Sequence, residues 1–127
     1  MTEQQARSFA EEWIHAWNTH DLDAILKHYA DDVEFTSPFV ARLLNDPSGT
    51  LHGKAALRAY FQRGLETFPD LHFELRAVLV SVKSITLLYQ SVHNLLAAEV
   101  MELDERGQVI RVLAHYTGLE ETSVVSK

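Results

Sequence analysis

The sequence predicts an α+β domain in which helices come first and an antiparallel sheet follows. Three observations carry that expectation. Apolar residues recur every three or four positions in the N-terminal half, they alternate one by one after residue 70, and short turn-forming clusters separate the alternating runs. A length of 127 residues with 46% hydrophobic content suffices for one core, so a single domain over residues 1–127 is expected.

Over residues 3–17, Ala6, Phe9, Ala10, Trp13, Ile14, Ala16 and Trp17 share one face of a helix. Asp21 is placed to cap a second helix, in which Leu22, Ile25, Leu26 and Tyr29 again share a face, ending near Asp31 and Asp32. Residues 33–37 alternate and are stopped by Pro38, which predicts a strand with Val33, Phe35 and Ser37 on one side. Asn45, Asp46, Pro47, Ser48 and Gly49 make the next segment a loop, with a helical turn expected over residues 41–44. The segment between Pro38 and Gly53, some fifteen residues with the loop itself at 40–52, has the length of a lid. Helical spacing returns through Ala56, Leu57, Tyr60, Phe61 and Leu65 and closes at Pro69 and Asp70. Strands are then expected over residues 71–76, 85–93, 95–103 and 109–117, with a turn at Asp104 to Gly107.

Eleven basic against eighteen acidic residues leave a net charge of −7, which repels phosphate backbones and anionic headgroups. Neither nucleic acid nor a membrane is an expected partner. With no cysteine there is no disulfide, no thiolate nucleophile and no thiolate metal site. The N-terminus is polar and acidic and no apolar run reaches membrane-spanning length, so a cytoplasmic location is the default expectation. The seven histidines are scattered without an H-E-x-x-H or paired-carboxylate spacing, so no metal and no cofactor is expected.

Glu99 stands out. Leu95, Ala97, Glu99, Met101 and Leu103 share one parity of their strand, which sets a lone carboxyl among apolar groups if that side faces the core. Desolvation then raises its pKa and poises it as an acid or base. The plain alternative is a shifted register that turns it outward, or a buried hydrogen bond to a tryptophan or tyrosine. In the last strand Ile110, Val112, Ala114 and Tyr116 share the apolar parity, with Arg111 and His115 on the other. Tyr116 is thus a pocket candidate and His115 a surface or interface residue, while the direction of His93 is not fixed. Leu96, Ala98 and Val100, with Val109 and Leu113, form an apolar outer face that needs a cover, and a homodimer is expected.

The stretches DLDAILKHYADDVEFTSPF (21–39), LHGKAALRAYFQRGL (51–65) and MELDERGQVIRVLAHY (101–116) resemble the ketosteroid-isomerase and SnoaL-like polyketide-cyclase branches of the nuclear-transport-factor-2-like superfamily. The resemblance implies a cone-shaped barrel, with N-terminal helices packed on a curved, mostly antiparallel sheet around an apolar pocket, and a back-to-back dimer. It places the isomerase family's catalytic aspartate on Ser37, its first-helix tyrosine on Trp13, and its protonated aspartic acid on Glu99. A serine hydroxyl does not shuttle protons at neutral pH, and an indole N–H donates a hydrogen bond without exchanging its proton. Steroid isomerisation at a useful rate is therefore not expected. The resemblance also sets Trp13, Trp17 and Phe35 at the mouth and middle of the pocket.

The expected site is Glu99 as the catalytic group, with Trp13, Trp17, Phe35, Ser37, Met101 and Tyr116 contacting a small hydrophobic molecule. Three functions follow: an acid/base isomerase or cyclase of a carbonyl compound, a non-catalytic binding protein, and a structural dimer with a vestigial cavity.

Overall fold

In the computed structural model, which describes residues 1–119, the first helix, α1 (Glu3–Asn18), begins at a capping box. The Thr2 hydroxyl accepts from the Gln5 N–H at 3.0 Å, and the Gln5 side chain accepts from the Thr2 N–H at 2.9 Å. Ala6, Ala10, Trp13, Ala16 and Trp17 form its buried stripe, while Phe9 and Ile14 are only half-buried beside it. Asp21 caps α2 (Leu22–Leu26) by accepting from the Ala24 N–H.

That second helix is shorter than its apolar spacing predicts. Tyr29 opens the strand β1 (Tyr29–Thr36) instead of closing α2, and Asp31 and Asp32 lie exposed on that strand. The cause is an irregular stretch between Tyr29 and Glu34, which hides a strand's alternation. The expected loop after Pro38 is also more ordered than its turn formers suggest. It contains α3 (Pro38–Leu43) and β2 (Thr50–His52). Pro38 ends the strand as expected, but it does so by starting a helix, where its missing N–H costs nothing. Gly49 closes this segment with φ +63°, and a Cβ there would meet the Ser37 carbonyl oxygen at 2.9 Å.

Helix α4 (Lys54–Thr67) buries Leu57 and Phe61. The sheet continues through β3 (Glu74–Val80), β4 (Ser84–Gln90), β5 (Leu96–Leu103) and β6 (Val109–Tyr116). Its order is β2-β1-β6-β5-β4-β3, with β1 and β6 parallel and every other pair antiparallel. Residues 71–73 alternate like a strand, yet they stay outside the sheet. Their backbone finds side chains at the end of α1. Asn18 donates to the Phe73 carbonyl at 3.0 Å and accepts from the Phe73 N–H at 2.7 Å, and His20 Nε2 donates to the Leu71 carbonyl at 2.9 Å.

Two expectations, Val109 outward and Ile110 inward, change at the start of β6. Val109 is fully buried and Ile110 is 37% exposed, the reverse of the sequence parity. Leu103 pairs with Val109 and Glu102 with Arg111, so Ile110 is an extra residue that switches sides. Beyond this bulge Val112 and Ala114 are buried as expected. His93 sits exposed in the tight turn Val92–Asn94 at φ 56°, edge-on to Phe68.

Candidate functional site

Inward-facing rings of α1, α4 and the sheet meet around a cavity of about 220 Å³. Trp17 comes from α1, Phe35 from β1, Phe61 from α4 and Tyr89 from β4, and Phe73 adds a ring from the segment before β3. Phe61 packs edge-on against Trp17 and Phe35, at ring separations of 4.8 and 5.5 Å. Such edge contacts keep the rings from collapsing face to face.

Glu99 enters this apolar wall from β5, whose clean alternation turns every second side chain inward. It is 5% exposed. Burial pushes its carboxyl up to about 7, and a hydrogen bond from Tyr89 pulls in the opposite direction. Tyr89 pairs with Ala97, so it lies diagonally across from Glu99, within reach of a long aromatic side chain. Its hydroxyl donates to Glu99 Oε2. The other oxygen, Oε1, is buried without a partner among the described residues.

Further hydroxyls gather around this pair: Tyr116 lies close enough to Tyr89 and Ser37, and Tyr60 to Ser37, to influence its titration. Burial, reinforced by the Glu99 charge, raises the pKa of all three phenols, so they stay protonated at neutral pH and act as donors. Ser37 itself accepts from the Phe39 N–H at 3.2 Å as the cap of α3. The second unpartnered buried atom among the described residues is Trp17 Nε1. The cavity wall thus carries an orphan donor and an orphan carboxyl oxygen.

The sequence-expected residues separate into two groups. Trp17, Phe35, Glu99 and Tyr116 line the cavity. Trp13, Ser37 and Met101 are buried outside its wall. Trp13 is stacked on Phe73 and edge-on to Tyr89, so those two rings stand between it and the space. Ser37 is occupied by the α3 cap and lies behind the Tyr60 and Tyr116 hydroxyls, and Met101 is fully buried further along β5. Spacing did not single out Tyr89 or Arg63, both in the wall. The parity of Ile85, Leu87 and Tyr89, all buried, was the available signal for the first. Among the described residues no three His, Asp or Glu side chains converge as metal ligands, and no helix is long and apolar enough to cross a membrane.

The model of the SnoaL-like domain matches residues 10–122. The chain is similar to a SnoaL-like protein of unknown function from Burkholderia thailandensis E264, at 45% identity and TM-score 0.89, covering 93% of this chain and 99% of that one. More distant in sequence, a provisionally named ketosteroid isomerase from Kribbella flavida DSM 17836 is 19% identical with TM-score 0.70, covering 89% and 78%. An NTF2-like protein of unknown function from Cytophaga hutchinsonii ATCC 33406 is 16% identical with TM-score 0.67, covering 87% and 88%. The last two likenesses are of fold. No curated protein matches the chain.

Proposed function

The chain belongs to the SnoaL-like domain family, and on that premise we propose that its cavity takes a small, mostly apolar carbonyl compound on which Glu99 acts as general acid and base. The observation that supports this reading most is the pair of unpartnered atoms, Glu99 Oε1 and Trp17 Nε1, in the wall of one apolar cavity. A buried polar atom without a partner costs roughly 1–3 kcal/mol, and a ligand that bonds both atoms removes that cost. A carbonyl oxygen accepts from the Trp17 N–H. Glu99 Oε1 then faces a proton on the adjacent carbon.

With a pKa of about 7 the carboxyl is present in both forms at neutral pH, so it takes a proton and gives it back without a large thermodynamic penalty. Removal of the α-proton by Oε1 moves its electron pair onto the carbonyl oxygen, where the indole N–H stabilises the negative charge. In a β,γ-unsaturated carbonyl compound the negative charge extends over a dienolate, and return of the proton at its γ-carbon moves the double bond and completes an isomerisation. Attack of the enolate on another carbonyl of the same molecule gives an aldol-type cyclisation instead. At about 220 Å³ the cavity is smaller than usual pockets for drug-sized ligands, which suits a one-ring or short-chain compound better than a four-ring steroid.

Exchange of α-protons into deuterated water, followed by NMR over a panel of one-ring ketones, tests the reading. The unmodified chain should exchange them, and Glu99→Gln should do so about 10²- to 10⁴-fold more slowly while binding within about tenfold. A Glu99 that titrates like an exposed glutamate, with equal exchange in both proteins, would overturn it. One observation favours a second reading, binding without proton transfer: Ser37 occupies the position where the resemblance sets the family's base, and its hydroxyl caps a helix. In that case Glu99→Gln changes little.

We also propose that the outer face of the sheet is covered by a second copy of the chain. Register sets Leu88 beside Ala98 and Val100 beside Leu113, giving a continuous half-buried apolar strip on three strands. Equilibrium sedimentation should find dimers at micromolar concentration, and monomers alone would refute this.

A further inference from the structure

We propose that the occupant of the cavity is an anion, an apolar oxo acid whose carboxylate rests on Arg63 at the mouth while its carbonyl end reaches Glu99. This rests on the reading of the cavity as a ligand site. Arg63 and Glu99 are the two charged side chains in the wall, and they lie at opposite depths: Arg63 is exposed on α4 and Glu99 is buried. Arg63 forms no ion pair among the described residues, so no carboxylate among them occupies its guanidinium. Its charge is felt inside the wall, where it opposes the rise in the Tyr60 pKa.

Room for the anion is present beside it. Gly64, next to Arg63 in the chain, also lines the cavity, and a Cβ built there would meet nothing within 4 Å, so the wall is open at that residue. On a chain of net charge −7, an anion gains nothing from the general field, and beyond about 8 Å that field is screened at physiological salt. A local guanidinium, with two parallel N–H donors to a carboxylate, is what selects it. Orientation follows from charge. A carboxylate at the deep end would meet the Glu99 carboxyl, so the acid group points outward and the apolar, carbonyl-bearing end points in.

Phenylpropanoate and phenylpropanamide, alike in shape and different in charge, test this with the full chain, using the fluorescence of Trp17 in the wall. The carboxylate should bind at least about tenfold more tightly than the amide, and added salt should narrow the gap. Arg63→Gln, an exposed substitution, should abolish the preference and leave amide affinity within about twofold. Equal binding of the two ligands, tighter binding of the amide, or a preference that survives Arg63→Gln would overturn the assignment while leaving the cavity as a ligand site. Failure of both compounds to bind would overturn both readings together.

Discussion

Trp13 and Trp17 sit one helical turn apart on the same buried stripe, 0% and 6% exposed, yet they live in different environments. Trp13 donates its indole N–H to the Tyr29 hydroxyl at 2.9 Å, and its ring packs against Phe73 and Tyr89. Around it the core is closed and its polar atom is satisfied. Trp17 faces the cavity with its N–H unpartnered, beside a carboxyl that is half unpartnered as well. Two copies of one residue, at equivalent steps of one helix, are therefore a structural ring and the wall of a cavity. Hydrogen-bond satisfaction distinguishes them, and hydrophobic spacing does not.

The largest expected effect sharpens the contrast from the cavity side. Glu99 carries a pKa of about 7 in the folded chain against an ordinary 4.5, so the folded state keeps a proton that the unfolded state has already released. The stability associated with that proton is fully present below pH 4.5 and is lost as pH rises through 7, a loss of about 3 kcal/mol. Glu99→Gln should lack it. Urea unfolding of both proteins at about pH 4 and pH 8 measures the difference, and an identical pH dependence would mean that the cavity does not raise this carboxyl.

The next effect compares the two indoles directly. Trp13→Phe leaves the buried Tyr29 hydroxyl without its donor and opens a hole in the closed core, for a cost of about 2–4 kcal/mol. Trp17→Phe removes no hydrogen bond and enlarges a space that already exists, so about 1 kcal/mol is expected. Denaturation midpoints that fall equally in the two variants would break the distinction.

Strand β5 was legible in the sequence because nothing interrupts it. Its residues alternate between half-buried and buried from Leu96 to Leu103, and the parity that sets Glu99 inward is the parity observed. Strand β6 was legible only beyond its bulge, since one inserted residue exchanges Ile110 with Val109 while leaving Val112 and Ala114 in place. In β1, Asp31 and Asp32 look like a helix end because the irregular pairing there lets two consecutive charges face water. The site divides similarly. Glu99, Trp17, Phe35 and Tyr116 follow from local pattern and resemblance, whereas the Tyr89 contact depends on a diagonal between strands and the Arg63 position on how α4 meets the mouth. Neither is encoded in spacing along one segment.

Asn18 follows Trp17 directly, and its amide grips both backbone groups of Phe73, whose ring lines the same cavity. One side chain therefore works as a caliper across two walls: the backbones that carry the indole and the phenyl ring cannot part without breaking both of its bonds. On that flank the backbone spacing of the two walls is set by amide geometry.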